Sequence, residues 1–299
     1  MRMLPACGPS APDRPGSRGA ILGGMKLLSW NIQWCRGVDG RVDPARIARV
    51  ARELCDPDVC CFQEVASNFD ALAGSAGEDQ PALLQSRFPG YRAHFAWAVD
   101  VPDGKGARRR FGNLILSRLP VRQVLRHSLP WPPEPEVPSM PRVALEAVIE
   151  APWGRVSVAT LHLEYYSAAQ RAAQVERLLE IGREGRTHAA TKPSAQYPSG
   201  PFQPFPRPAA ALLAGDFNMR PDDPLVARLR TAYADAWQLA HPGAPHPPTF
   251  CLHDREHGDA PYCCDFVFVS PELAPRVVAM RIDAATQASD HQPVMVEFR

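Results

Sequence analysis

Six apolar stretches of the chain each carry a polar, proton-handling or metal-binding residue at one end, and this arrangement constrains the fold most strongly. Apolar runs of this length predict buried β-strands. Because the end of one strand lies beside the start of an antiparallel neighbour, we expect the polar groups to collect along one edge of a sheet. Such a cluster predicts a catalytic site with room for a metal. The stretches are Lys26 to Trp30 before Asn31, Val59 to Gln63 before Glu64, Val156 to Leu161 before His162, Ala211 to Gly215 before Asp216, Phe266 to Val269 after Asp265, and Val294 to Phe298 after Asp290 and His291.

Composition bounds the protein class. The 299 residues are 45% hydrophobic and 22% charged, which is enough for a substantial core. The formal net charge of +1 gives no global attraction to nucleic acid or to an anionic membrane, so local groups must hold any polyanionic ligand. No run of about 18 apolar residues predicts a membrane span, and no apolar core of a secretory signal is present. We therefore expect a cytoplasmic protein, with no protein partner indicated.

The pattern of elements predicts one α/β domain over residues 25–299, preceded by a disordered extension at 1–24. Translation starting at Met25 is an alternative reading of that extension. A Pro-rich segment around 183–208 is interpreted either as a lid over the site or as a simple insertion. The predicted helices are Asp43 to Leu54, Pro81 to Phe88, Ser167 to Ile181 and Asp223 to Leu229, and the further strands are Tyr91 to Trp97, Asn113 to Ser117, Val143 to Ile149 and Val277 to Ile282.

The cysteine pattern predicts buried, reduced thiols and does not suggest a framework of disulfide bonds. Two adjacent pairs, at 60/61 and 263/264, are expected to point to opposite faces of strands. A second set is close enough in sequence to suggest zinc, but its spacing fits no common zinc pattern, so a loop entering a strand is the favoured interpretation. That set is Cys251, His253, His257, Cys263 and Cys264.

Several polar residues are candidates for chemistry. Asp216 and Asn218 are two apart in Gly-Asp-Phe-Asn, so the carboxylate can accept a proton from water while the amide holds the group under attack; an Asx turn is the alternative. Glu64 and Asp290 are candidates for a Mg²⁺ site, because hard cations prefer oxygen ligands. Asp265 is a candidate to orient a histidine at a strand end.

Seven motifs, in this order, resemble those of the endonuclease/exonuclease/phosphatase superfamily, and the similarity runs from Met25 to Arg299. They are Ser29-Trp30-Asn31, Phe62-Gln63-Glu64-Val65, Gly112-Asn113 through Arg118, Leu161-His162-Leu163-Glu164, Gly215-Asp216-Phe217-Asn218, Cys264-Asp265 through Ser270, and Ser289-Asp290-His291-Gln292-Pro293-Val294.

The resemblance implies a DNase I-like, four-layer α/β/β/α sandwich with two mixed sheets packed face to face. It also implies Mg²⁺- or Mn²⁺-dependent cleavage of a phosphate ester. By the same resemblance, Asn31, Glu64 and Asp290 adjoin the metal. The residues expected to act on the substrate are Asp216 as the base, Asn218 on the phosphate oxygens, His291 oriented by Asp265, His162 as the second imidazole, and Asn113 in substrate binding.

The substrate class stays open at this stage. The segment after His162 is similar to magnesium-dependent tyrosyl-DNA phosphodiesterases, whereas Pro261 to Asp265 resembles inositol polyphosphate 5-phosphatases. The run of Arg108, Arg109 and Arg110 has two interpretations. It binds a second phosphate or a nucleic-acid backbone, or it is a solvated charge run with no ligand. We expect a phosphodiesterase or nuclease; a phosphomonoesterase on inositol phosphates or lipid head groups and a non-catalytic scaffold are the alternatives.

Trp30, Trp34, Trp97 and Phe217 are expected near the site, either to stack on a base or to fill the core. The stacking role would favour a nucleic-acid substrate.

Overall fold

The computed structural model of the protein describes residues 23–205, 207–254, 256, 258 and 260–299. Residues 1–22 of the predicted extension, and His257 of the alternative zinc set, lie outside the described residues. The strands are β1 (Met25–Asn31), β2 (Val59–Ser67), β3 (Arg92–Pro102), β4 (Arg108–Ser117), β5 (Val121–Ser128), β6 (Val143–Ala151), β7 (Gly154–His162), β8 (Ala211–Asp216), β9 (Ala234–Asp235), β10 (Asp265–Val269), β11 (Val277–Ile282) and β12 (Val294–Phe298). The α-helices are α1 (Pro44–Cys55), α2 (Gln80–Arg87), α3 (Ala168–Ala190), α4 (Pro224–Leu229) and α5 (Ala236–Ala240).

The strands form two mixed six-stranded sheets, which confirms the predicted fold class. The first sheet has the order β11-β12-β1-β2-β4-β3, and the second has the order β5-β6-β7-β8-β10-β9. The pairs β1–β2 and β7–β8 are parallel and the other neighbours are antiparallel. The two sheets therefore repeat one arrangement, in which a central parallel pair is flanked by antiparallel strands.

Three buried clusters account for the four layers. The central cluster joins Leu27 and Val59 of the first sheet to Leu145 and Leu212 of the second. A second cluster packs α1 against the outer face of the first sheet, and a third packs α3 against the outer face of the second. Alternation along the strands produces this division, since neighbouring residues point to opposite faces. Cys60 and Cys61 show it directly, because they lie in different clusters as expected.

Local signals define the helix starts. The Asp43 carboxylate accepts hydrogen bonds from the backbone N–H groups of Ala45 and Arg46, and Pro44 follows it at the first helical position. The Ser167 hydroxyl accepts a bond from Gln170 N at the start of α3. All of the predicted helices and strands are present. Strand β5 was not predicted, because an edge strand with exposed Arg122 and Arg126 lacks a continuous apolar run.

The Pro-rich segment begins later than predicted. Helix α3 continues to Ala190, past the predicted end at Ile181, so residues 183–190 are helical. Its glycines allow close packing instead of ending the helix; a Cβ at Gly182 would lie 2.2 Å from the Tyr233 hydroxyl oxygen. Residues 191–205 are exposed and lie outside the described lining of the site cavity, so the segment does not form a lid in this conformation.

The segment is anchored at Arg207, whose guanidinium donates to both oxygens of buried Glu146 in β6. None of the helices in the described part of the chain is both long enough and apolar enough to cross a bilayer.

Candidate active site

The two sheets bring their polar strand ends together. Asn31 and Glu64 come from the first sheet, and His162 and Asp216 end paired strands of the second at the same level. The Asn31 amide joins the sheets, because its Nδ2 donates to Glu64 Oε1 at 3.0 Å and to Asp216 Oδ2 at 3.1 Å. The prediction of a single sheet edge is therefore wrong. The site is formed by two sheet edges instead. Each sheet contributes the carboxyl ends of its parallel pair, β1–β2 in the first sheet and β7–β8 in the second.

A cavity of about 240 Å³ lies over these strand ends. Its lining combines charged and amide side chains with a wall of aromatic and apolar ones. The polar members are Gln33, Glu64, Arg142, His162, Asp216, Asn218, Asp290 and His291, and the apolar or aromatic members are Trp34, Phe111, Met140, Tyr165, Tyr166 and Phe250. Such a combination is typical of ligand sites, in which a few polar groups fix orientation.

Asp216 lies at the centre of the polar group. Its Oδ2 is 3.4 Å from His162 Nε2 and 3.7 Å from His291 Nε2, and its Oδ1 accepts a bond from Asn218 N at 2.9 Å. Burial raises the pKa of Asp216 to about 6, although the neighbouring His291 opposes the rise. A carboxylate with this pKa is ionised at neutral pH and remains a useful proton acceptor.

Gly215 sets the position of Asp216. Its φ is +152°, and a Cβ built there would lie 2.0 Å from the Leu161 carbonyl oxygen of the adjacent strand. Only glycine permits this approach between β7 and β8. The approach also fixes His162, which follows Leu161 and pairs in register with Asp216.

The pKa values of the two imidazoles are displaced in opposite directions. His291 Nδ1 is 2.9 Å from Asp265 Oδ2. Burial alone would lower the pKa of His291, but the charges of Asp265 and Asp216 and the bond to Asp265 hold it well above its usual value. Burial, with the charges of Arg142 and His291, holds the pKa of His162 well below its usual value. His291 is therefore an imidazolium and His162 a neutral imidazole at neutral pH.

Glu64 and Asp290 form the part of the site that best suits a divalent cation. Pairing between β2 and β4 shifts between Phe62 and Val65, and Glu64 has a left-handed φ of 56° at this irregularity, so its side chain turns into the cavity. Burial and the charge of Asp290 raise the pKa of Glu64 to about 7. Two carboxylates that disfavour each other's charge in one cavity fit a hard cation, which would relieve that repulsion.

Asn31 orients Glu64 and Asp216 through its amide nitrogen, since its oxygen accepts a bond from Gln33 N. Asp216, Cys264 and His291 also place possible ligand atoms within 4.8 Å of one another. That set includes a soft thiol, which suits Mg²⁺ or Mn²⁺ less well than two carboxylates do. Of the alternative zinc set, His253 places its Nε2 2.8 Å from the Ala284 carbonyl oxygen, which occupies that nitrogen with a hydrogen bond.

Of the two predicted amides, Asn218 lines the reaction cavity and Asn113 lies outside its described lining. Asn218 has a left-handed φ of 51°, and its Nδ2 donates to the Leu163 carbonyl at 2.9 Å, which leaves one amide hydrogen directed elsewhere. Asn113 is buried and donates to the Val143 carbonyl at 2.8 Å. It lines a small cleft beside His162, so it supports the wall next to that imidazole.

The three predicted arginines lie apart from the cavity. They occupy the start of β4, outside the described lining of the cavity. Arg109 pairs with Asp70, and Arg108 and Arg110 both approach Asp100. Arg110 also lies over Trp97, at 4.3 Å from the ring centroid. Because these charges have acidic partners, the structure favours the solvated charge run over a substrate grip.

The sequence interpretation missed other cavity residues. Arg142 lies before β6, and its Nε donates to the fully buried Glu164 at 3.2 Å, while its Nη1 is buried without a hydrogen-bond partner among the described residues. A buried donor of this kind is costly unless a ligand accepts from it. Tyr165, Tyr166 and Phe250 also line the cavity. These residues are in loops, so strand periodicity could not reveal them; only Tyr165 and Tyr166 had a sequence signal, which was their nearness to His162.

The aromatic candidates divide between site and core. Trp34 lines the cavity from a left-handed turn over Gln33–Cys35, whereas Trp30 and Phe217 are fully buried.

Comparison with known proteins gives consistent relatives. A family model described as the Endonuclease/Exonuclease/phosphatase family matches residues 28–291. The solved endonuclease/exonuclease/phosphatase from Beutenbergia cavernae DSM 12333 is 26% identical, over 92% of this chain and 71% of that one, with a TM-score of 0.64.

Two further structures share the fold at lower identity. Truncated Caenorhabditis elegans TDP2 is 19% identical, over 92% of this chain and 97% of that one, with a TM-score of 0.60. Bacteroides thetaiotaomicron VPI-5482 mannosyl-6-phosphatase Bt3783 is 18% identical, over 91% of this chain and 98% of that one, also with a TM-score of 0.60. Among curated proteins, none matches the chain significantly.

Proposed function

Because the chain belongs to the Endonuclease/Exonuclease/phosphatase family, we propose that this phosphoric-ester hydrolase cleaves a phosphodiester, with a nucleic acid as the substrate. Members of the family usually use a divalent metal, and we assign that role here to Mg²⁺ or Mn²⁺. The observation that carries the proposal is the position of Asp216 between an imidazolium and a neutral imidazole at the base of one cavity. Groups whose pKa values are pushed apart in this way are suited to different proton-transfer roles.

In this mechanism, Asp216 accepts a proton from the attacking water, whose oxygen forms a bond to phosphorus as the opposite P–O ester bond breaks; the leaving oxygen takes the electron pair of that bond and then a proton from solvent. The imidazolium of His291, held by Asp265, donates to a phosphoryl oxygen and offsets its growing negative charge. Asn218 offers its remaining amide hydrogen to a second phosphoryl oxygen. The Arg142 Nη1 hydrogens are placed to bind the same group. His162 stays neutral and accepts or donates a hydrogen bond beside Asp216.

Glu64 and Asp290 would hold the metal, which supplies Lewis-acid stabilisation of the phosphoryl oxygens when bound. Asn31 keeps Glu64 and Asp216 in fixed positions, since its amide donates to both carboxylates.

The cavity suits a diester more than a monoester. A phosphodiester carries one negative charge, whereas a monoester near neutral pH carries close to two. Among the described lining residues the cationic groups are His291 and Arg142, and Arg142 is already paired with Glu164. The same lining contains three carboxylates, those of Glu64, Asp216 and Asp290. The apolar wall also fits ester groups on both sides of phosphorus.

Hydrolysis of bis-p-nitrophenyl phosphate tests the proposal. Purified protein should release p-nitrophenol with Mg²⁺ or Mn²⁺ and stop when EDTA is added. Turnover of p-nitrophenyl phosphate should be much slower. A protein that hydrolyses neither compound with any divalent metal would be a non-catalytic scaffold, and preference for the monoester would support the phosphatase alternative.

His291→Ala separates the proposed site from a contaminating activity. Loss of a positioned proton-handling group should lower turnover by about 100-fold or more. The exposed His188 in the last turn of α3 provides a matched control, because His188→Ala removes an imidazole outside the described cavity lining.

A further inference from the structure

Two neighbouring tyrosines stand at the mouth of the reaction cavity. Tyr165 and Tyr166 are 39% and 62% exposed, and both line the cavity that contains His162 and Asp216. Their rings meet edge to face, with centroids 4.8 Å apart and an interplanar angle of 88°. An exposed aromatic face beside a reaction centre is a surface on which a flat ring of a substrate can stack.

Buried polar groups hold the backbone beneath these rings. Glu164 is fully buried, and its Oε1 accepts a bond from Tyr166 N at 2.9 Å while its Oε2 pairs with Arg142. Arg171 Nη1 donates to the carbonyls of Glu164 and Tyr165, at 2.8 Å and 3.0 Å. The tyrosines are therefore presented from a fixed backbone, which lowers the entropy lost when a ligand binds.

A second cavity continues from the first. Its volume is about 510 Å³, and it shares Tyr165 and Asn218 with the reaction cavity. Arg220 lines it, with the guanidinium carbon 4.1 Å from the centroid of the Tyr262 ring. Among the described residues, no carboxylate forms an ion pair with Arg220. The stacked guanidinium therefore keeps its charge available at a fixed place.

Two aspartates also line this second cavity. Asp223 Oδ1 accepts a bond from Leu225 N and caps α4, so part of its acceptor capacity is already used. Asp222 is exposed, where water screens its charge. These acids make the cavity selective for a ligand that reaches Arg220 directly, and they argue against non-specific binding of polyanions.

We propose, on the basis of the function proposed above, that the two cavities together bind an unpaired nucleic-acid strand, with a base on Tyr166 and a phosphate next to the scissile one on Arg220. Aromatic stacking combined with cationic groups along the backbone characterises single-strand binding. The bases of a duplex are already stacked and paired, so they offer no free ring face to Tyr166. An inositol ring has no aromatic π-face, so it would gain less from stacking on Tyr166 than a base does.

The base-stacking half is tested with two strands that differ only in their bases. Single-stranded oligothymidylate and an abasic strand of equal length carry the same phosphates. Wild-type protein should favour oligothymidylate, and Tyr166→Ala should raise KM for it by about 5-fold to 100-fold and abolish the preference. Tyr166→Phe should keep it, because the ring remains. Tyr197→Ala provides the control, since Tyr197 is an exposed tyrosine of the Pro-rich segment, outside the described lining of both cavities.

The phosphate half is tested with strands of different length. A thymidine dinucleotide has one phosphodiester, whereas oligothymidylate supplies further phosphates to Arg220. Arg220→Met should raise KM more for the longer strand than for the dinucleotide, and should weaken the dependence of KM on salt. Arg228→Met removes an exposed arginine of α4 that is paired with Glu176, and it should change neither value.

Three results would overturn the proposal without affecting the proposed function. They are equal cleavage of abasic and normal strands, preference for duplex over single strands, and preference for inositol phosphates, each in a protein that still hydrolyses bis-p-nitrophenyl phosphate with metal. Loss of that basal hydrolysis in the wild-type protein would instead refute the proposed function itself.

Discussion

Replacement of Asp265 by Asn tests the assignment of His291 as the cationic group of the site. Asp265 Oδ2 is 2.9 Å from His291 Nδ1, and both side chains are buried. A hydrogen bond to a charged group contributes about 1.5–3 kcal/mol. Since one pKa unit corresponds to about 1.4 kcal/mol, Asp265→Asn should lower the pKa of His291 by roughly one to two units.

The sign of the pH effect follows from the role of His291. The raised pKa keeps the imidazolium form present at neutral pH, and activity should fall as the pH rises through that value. Asp265→Asn should therefore move the alkaline limb of kcat/KM to lower pH by roughly one to two units. Turnover should fall by about 10-fold to 100-fold in the pH range where His291 of the variant is neutral and the wild-type residue is still charged.

The assay is a pH–rate profile with bis-p-nitrophenyl phosphate at saturating Mg²⁺. Asp235→Asn is the matched control, because Asp235 Oδ2 is 2.9 Å from His246 Nε2 in an equally buried pair outside the reaction cavity. The control should lower the melting temperature without moving the alkaline limb. If Asp265→Asn leaves that limb in place, His291 is not the group that titrates and the assignment of its charge is wrong.

Three further results are expected from other parts of the molecule. Arg207→Met removes the guanidinium from buried Glu146 and leaves it with His127 and Ser157, so urea unfolding should show a loss of up to about 3–5 kcal/mol, whereas Arg228→Met, at an exposed pair, should change the free energy of unfolding little; equal losses would show that burial does not matter here. Gly215→Ala should lower both the melting temperature and turnover, since its Cβ would lie 2.0 Å from a carbonyl oxygen of β7; unchanged values would mean that the two strands can separate at no cost. Because the pKa of Asp216 is about 6, the acid limb of kcat/KM should fall as the pH drops through about 6, and Asp216→Asn should remove activity at every pH; an acid limb far from that value would exclude Asp216 as the base.

The pattern of apolar residues and the capping residues of helices predicted most of the elements, because the physical cause of each is local. The run from Val59 to Gln63 is apolar on both faces, as a strand covered on both sides requires, and Asp43 with Pro44 marks a helix start. The end of α3 was misjudged because Gly182 and Gly185 normally suggest a loop. Here Gly182 allows the Tyr233 hydroxyl to approach the helix, which is a tertiary contact that the local sequence cannot show.

The catalytic residues were recognisable as residue types at strand ends and through motif resemblance. The sequence could not show that these residues meet in one site, because that depends on how the two sheets pack. The hydrogen bond from Asn31 Nδ2 to Asp216 Oδ2 connects strands of different sheets, and the two residues are 185 positions apart in the sequence. The charge states of His162 and His291 likewise depend on burial and on neighbours contributed by other strands.

The sequence by itself determined which segments become strands and helices, which of them end in carboxylates, amides and imidazoles, and which family the chain resembles. Only the tertiary structure decided that two sheet edges share the site, that Arg108 to Arg110 are paired with acids outside it, and that Tyr165, Tyr166 and Arg142 line it. The reason is that secondary structure follows from interactions between near neighbours in the chain. Cavity shape and pKa values follow from packing between distant segments, where small differences in distance and burial change the energy of a charge.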